Sequence, residues 1–255
     1  MALVLISGCA ESTIDPANPE NVFLEAAPVT LKEFQEQDVS ILVINNDTQA
    51  LDSVQITSFS PLSVIGADLV NLAGKSDATE PMQSRLNAKV SAPAFDTDMS
   101  DSALIVSYLS GKDNEGKQTT ATKSIIVPVT ILPDAKLQFL GFVTDMDSLR
   151  TPAAESWVLR KGENATIKFS VRNDGQSTIP EGLLTVLVDV DNKLIADQAS
   201  IQVNQSMAKK GTSYTKGLQI PVNEDAPNGE TDVLVKLMYG EEIIDEQTLV
   251  LKVKL

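Results

Sequence analysis

The residues from Ala165 to Arg172 alternate without a break, with Ile167, Phe169 and Val171 on one face and Thr166, Lys168, Ser170 and Arg172 on the other. A period of two predicts a strand with one face in a core and the other toward solvent. The run ends in Asn173-Asp174-Gly175, a turn signal whose Asn and Gly tolerate positive φ. Moving back 128 residues reaches Val39, Ile41 and Val43 followed by Asn45-Asn46-Asp47, the same strand and the same kind of turn. Downstream, Pro93 lies 128 residues before Pro221, an acidic turn follows each proline, and β-rich runs then end at Tyr108 and Tyr239. The chain reads as an internal duplication.

The first copy predicts strands over 22–31, 39–44, 53–60, 85–92, 102–109 and 118–132, with 61–84 a long connection holding a short helix or a crossing strand. The second predicts strands over 136–143, 157–159, 165–172, 183–190, 193–203, 213–222 and 233–239, and a last one ending at Leu255. Turns every 8 to 12 residues or so are the spacing of antiparallel sandwiches. The fold class expected is all-β, in two domains of 21–133 and 134–255 that meet near Pro133-Asp134. Pro128 inside a late strand predicts that this strand lies at a sheet edge, since proline cannot donate to the ladder. On Val39 to Ile44 both faces are largely apolar, with Leu42 and Ile44 opposite the core set, which predicts cover from the other domain or a partner surface.

Composition narrows the function. With 255 residues and 42% apolar content the chain has material for two cores. A net charge of -15 repels phosphate backbones and anionic headgroups, so nucleic acid is not an expected partner. The absence of histidine and the presence of one cysteine remove imidazole bases, His-ligated zinc, Cys-His pairs and intrachain disulfides. Catalysis would have to rest on carboxylates alone, and no pair stands out. The expectation is a non-enzyme without metal or cofactor.

Three local patterns have bland readings. Gly111 to Lys117 has P-loop spacing, but Gln118 follows where Ser or Thr is needed, and the β-rich run after it predicts a hairpin tip. Asp96, Asp98 and Asp101, and Asp189 with Asp191, could approach calcium, yet neither group matches a calcium loop, and both read as solvated turns. Asn46, Asn164 and Asn204 each open a glycosylation sequon. Trp157 reads as a packing residue.

The amino terminus, Met1 to Cys9, is apolar until a small pair precedes the sole cysteine. Ile6-Ser7-Gly8-Cys9 resembles the lipobox of prokaryotic lipoproteins, which implies lipid attachment at Cys9 after a signal segment. Residues 10–20, rich in Pro and acidic groups, are expected to be a tether, so 1–20 form the signal and tether together. No stretch is long enough to span a membrane as a helix, which leaves the lipid as the only membrane contact.

The turn Asn173-Asp174-Gly175, the segment from Pro221 to Gly229, and Leu237-Met238-Tyr239-Gly240-Glu241-Glu242 are similar to CARDB-type and S-layer-associated immunoglobulin-like modules of archaeal and bacterial surface proteins. The first copy departs from that pattern, because Phe95 to Ser100 lacks the Pro-Asn-Gly turn. The resemblance implies two tandem immunoglobulin-like antiparallel β-sandwiches in a lipid-anchored structural, adhesion or interaction module on the outer face of the cell envelope. Expected partners are other envelope or surface proteins or polysaccharide. The alternatives are a filament or surface-layer subunit that homo-oligomerises by strand pairing, and an envelope binding protein or hydrolase using carboxylates.

Overall fold

A computed structural model describes residues 14–58, 61–66, 69–76, 80–97, 103–113, 115–143 and 156–254. These are all-β and sandwich-like, in two compact units. The first unit comprises β1 (Val22–Glu25), β2 (Val29–Lys32), β3 (Glu36–Asn45), β4 (Leu51–Ser58), β5 (Ser63–Gly66), β6 (Leu69–Leu72), β7 (Met82–Ser91), β8 (Ala103–Lys112) and β9 (Gln118–Leu132). Its sheets run β1-β3-β7-β5 and β2-β9-β8-β4-β6. The second comprises β10 (Ala135–Val143), β11 (Ser156–Arg160), β12 (Asn164–Asn173), β13 (Leu184–Val190), β14 (Ala199–Gln202), β15 (Ser213–Pro221), β16 (Gly229–Tyr239) and β17 (Glu242–Lys254). Its sheets run β10-β12-β15 and β11-β17-β16-β13-β14.

Strand for strand the second order repeats the first, less a counterpart of β5. The expected strand over 22–31 divides at Ala26-Ala27-Pro28, and its halves β1 and β2 join different sheets. Pro28 has no N–H to extend a ladder, so the chain leaves one sheet there and enters the other. The 61–84 connection supplies β5, which crosses to the sheet opposite its neighbours β4 and β6. The segment Ala94–Asp96 belongs to the second unit, where Phe95 meets Tyr239 edge-on with ring centroids 5.6 Å apart.

Several expectations need correction. The offset is 128 between β3 and β12 but 130 between β7 and β15, because Glu36 pairs with Ser91 while Asn164 pairs with Pro221. Pro93 and Pro221 are therefore not equivalent. The strand carrying Pro128 is not an edge, since β9 lies between β8 and β2. A β2 of four residues can flank only part of the fifteen-residue β9, so most of that side of β9 needs no ladder donor. The polar face of β12 meets solvent only at its ends: Thr166 is 2% exposed, and Lys168 and Ser170 are 7% exposed, while Asn164 and Arg172 are exposed. The 193–203 strand shrinks to β14, with Leu194 exposed and Ile195 buried in the turn before it.

The turn signals work by a different mechanism from the one expected. Asn45 and Asn173 are fully buried, and neither they nor Gly175 have positive φ. Asn173 Oδ1 accepts from Gly175 N–H at 2.9 Å, and its Nδ2 donates to the carbonyls of Ser177, Met207 and Ala208 at 2.7, 3.0 and 3.1 Å. Asn45 repeats this geometry: Oδ1 accepts from Asp47 N–H at 3.0 Å, and Nδ2 donates to the Gln49 and Ala73 carbonyls at 2.8 and 3.0 Å. One carboxamide thus closes its own turn and ties it to a distant loop in each unit. Gly74, beside Ala73, is required there, since a Cβ would lie 1.9 Å from the Thr48 carbonyl oxygen.

The first unit adds a strap. Ile14 and Lys112 exchange backbone hydrogen bonds of 3.0 and 2.9 Å, and Ala17 N–H donates to Ser110 Oγ at 2.9 Å. Gly111, with φ +78°, admits this crossing, because a Cβ would sit 2.7 Å from the Ile14 oxygen. Asp47 Oδ2 accepts from Asn18 N–H at 3.1 Å and Asn21 Nδ2 at 2.9 Å. Residues 14–20, expected within the tether, are therefore held against the sheets. Burial pushes the Asp47 carboxyl up, but hydrogen bonds from the Asn21 side chain and the Gln49, Asn18 and Thr48 N–H groups outweigh it and hold the group below its ordinary value.

Replacing Asn173 or Asn45 with Ala leaves a buried turn N–H and several buried or part-buried carbonyls without their partner, and should cost about 2–3 kcal/mol in urea unfolding, whereas exposed Asn204→Ala should stay within about 0.5 kcal/mol. The Asp47 carboxyl ionises more readily folded than unfolded, so its stabilisation is complete above the unfolded value near 3.8 and is lost as pH falls through the folded value. Asp47→Asn should lower the melting midpoint of the first unit at neutral pH, and the gap to wild type should close in acid below 3.8.

Candidate partner surface

The sheet β1-β3-β7-β5 turns Val22, Leu24, Val39, Ile41, Val43, Leu86, Ala88 and Val90 inward, where all are buried. Alternation then fixes what faces outward. Ile44 stands between Phe23 on β1 and Gln83 on β7, and Leu42 stands between Glu25 and Arg85. Leu42 and Ile44 are half-buried and Phe23 is 43% exposed. The result is a short apolar strip rimmed by a carboxylate, a guanidinium and an amide. Further along the same face, exposed Ile65 on β5 lies opposite Lys89, which pairs with Glu36 at 3.5 Å. An apolar centre with a polar rim is the composition of a protein contact patch.

Sequence alternation pointed to Leu42 and Ile44, and the structure adds Phe23 and Ile65 to their face. Phe23 was legible in principle, since Val22 and Leu24 flank it and cannot face the core together unless it faces out. Ile65 was not, because nothing in the 61–84 run sets the direction of a four-residue crossing strand.

The sequons differ in presentation. Asn46 is half-buried, its N–H donates to the Asn21 carbonyl at 2.9 Å and its Oδ1 accepts from Lys75 Nζ at 3.1 Å. Asn164 is exposed at the start of β12, but its sequon partner Thr166 is buried. Asn204, Gln205 and Ser206 are all exposed between β14 and β15. Cys9, Asp98 and Asp101 lie outside the described residues. Asp189 is engaged by Lys193, and Asp191 is exposed beside it. No group of three or more metal-ligating side chains gathers among the described residues. The Gly111 to Lys117 stretch joins β8 to β9, with Asp113 Oδ1 accepting from the Glu115 and Lys117 N–H groups at 2.9 Å each. Trp157 lies on β11, its backbone paired with Leu251.

Two buried phenols, Tyr108 and Tyr214, have no hydrogen-bond partner for their hydroxyls among the described residues. Burial pushes both upward, and the Asp47 carboxylate adds to the effect at Tyr108. Neither is activated as a base. Among the described residues no helix is long and apolar enough to cross a membrane.

No family model matches the chain, and no curated protein matches it. Among solved structures it is similar to the transglutaminase of red sea bream, with 12% identity and a TM-score of 0.39 over 92% of this chain and 31% of that one. The chain thus spans about a third of that protein's length.

Proposed function

We propose that the protein is a lipid-anchored module of the outer cell envelope, built of two tandem immunoglobulin-like domains and acting by contact with surface proteins or polysaccharide instead of by catalysis. The observation that carries this reading is the strip of Phe23, Leu42 and Ile44, with Ile65 further along, on a sheet face whose remaining residues are polar or charged. The sheet orders support the immunoglobulin-like part, since a three- or four-stranded sheet opposes a five-stranded one in both units. Ile6-Ser7-Gly8-Cys9 supports the anchor.

The strap gives the anchor a geometric consequence. Ile14, five residues after Cys9, is bonded to Lys112. Five extended residues reach about 17 Å. A lipid on Cys9 would hold the β8–β9 end of the first unit within that distance of the bilayer. Of the three sequons, Asn204 is the one whose residues are all accessible to a transferase in the folded protein.

Mass spectrometry of membrane-extracted protein should find an amino-terminal lipidated Cys9, and Cys9→Ser should leave an unlipidated precursor. An intact Met1 with a free thiol would overturn the anchor. Replacing Leu42 with Thr and Ile44 with Lys removes half-buried apolar area at a cost of about 1–2 kcal/mol, and should abolish envelope crosslinks while the chain stays folded. An unchanged crosslinking profile removes this surface, and a hydrolytic activity lost with one carboxylate substitution overturns the reading as a whole.

A further inference from the structure

The three-stranded sheet of the second unit has two edges, β10 and β15, and they are treated differently. Along β10, side chains of β17 stand in for a neighbouring strand. Leu137 N–H donates to Asp245 Oδ2 at 3.0 Å, and the Gln247 carboxamide accepts from Phe139 N–H at 3.3 Å while donating to the Leu137 carbonyl at 3.1 Å. Those main-chain groups are closed to further pairing. Along β15, among the described residues, no backbone group of 213–220 bonds to anything but β12.

The first unit shows what such a position holds. There β5 runs antiparallel to β7, pairing Val64 with Val90 and Gly66 with Ala88. By register, Ala88 and Val90 answer to Leu218 and Ile220 on β15. In the second unit the same connection, between β13 and β14, is reduced to one bridge from Ala196 to Val222, with Asn223 N–H donating to the Ile195 carbonyl at 2.8 Å. It stops where the open edge begins.

Charge narrows the occupant. Residues 198–223 hold no Asp or Glu, the longest such run in a chain with 35 acids, and they carry Lys209, Lys210 and Lys216. Lys209 and Lys210 are exposed just before β15, and Lys216 is half-buried in its middle. If β15 paired with its counterpart in a second copy about Gly217, two Lys216 side chains would share a face at a diagonal spacing of about 7–8 Å, a repulsive arrangement. An acidic strand meets attraction at the same place.

We propose that the β15 edge docks an acidic, extended segment of a partner protein, which adds as an antiparallel strand through main-chain hydrogen bonds while its carboxylates meet Lys216, Lys209 and Lys210. The site is separate from the Leu42–Ile44 surface and needs no anchor, so its failure would leave the reading above intact.

The probe is an acetylated, amidated heptapeptide alternating Glu and Val, compared with the same peptide carrying Lys for Glu, each titrated into the full chain while amide hydrogen exchange is followed. The acidic peptide should bind about fivefold or more tightly than the basic one, slow exchange within 213–220, and lose its advantage in Lys216→Glu, whose fold is checked by its unchanged exchange in β12 and β16. Equal affinities, binding that leaves 213–220 unprotected, or a preference unchanged by Lys216→Glu would each overturn the proposal. So would strong protection of both alternating sets of amides in 213–220 before any peptide is added, since the edge would then already be filled.

Discussion

A single buried carboxamide at the end of one strand organises each unit. Asn45 and Asn173 sit where the chain leaves β3 and β12, and each satisfies backbone groups from its own turn and from a loop about thirty residues away. A buried polar group with no partner costs more than most surface interactions contribute, so position, rotamer and both loops are fixed together. Sheets alone would leave these loops free to vary. In the first unit Asp47 extends the arrangement outward, binding Asn18 and Asn21 and so fixing the strap that crosses Gly111.

Much of the fold was legible because one-sided burial enforces a period of two. Val39, Ile41 and Val43 on β3, and Ile167, Phe169 and Val171 on β12, face the cores that alternation assigned to them. The misreadings have physical causes. Periodicity reports one covered face and is silent about a second, so the burial of Thr166, Lys168 and Ser170 left no mark. Proline at 128 signals an edge only if both neighbours run the length of the strand, and β2 is far shorter than β9. Two extra residues before β15 preserved the pattern of apolar positions and so concealed the change of offset from 128 to 130. Asn45 and Asn173 were correctly singled out as turn residues, yet sequence does not tell an asparagine that tolerates an unusual φ from one that is a buried hydrogen-bond centre.

The two units share a design and differ at their margins, and the margins carry the functional argument. In the first, β5 fills the sheet edge and the outward apolar residues lie on β1, β3 and β5. In the second, the corresponding connection shrinks to a bridge at Val222, and β17 side chains occupy main-chain groups of the opposite edge. Leu42 and Ile44 were found from the sequence because they break alternation on an otherwise ordinary strand. The β15 edge was not, because an open edge is a property of missing neighbours and has no residue signature of its own.

The claim on which the rest depends is that the same carboxamide holds both units. Side-chain amide hydrogen exchange by nuclear magnetic resonance measures this directly. The Nδ2 protons of Asn45 and Asn173 should exchange only through unfolding of their units, at rates far below that of the exposed Asn204 carboxamide. Exchange of either at the rate of Asn204 in the folded chain would contradict the account.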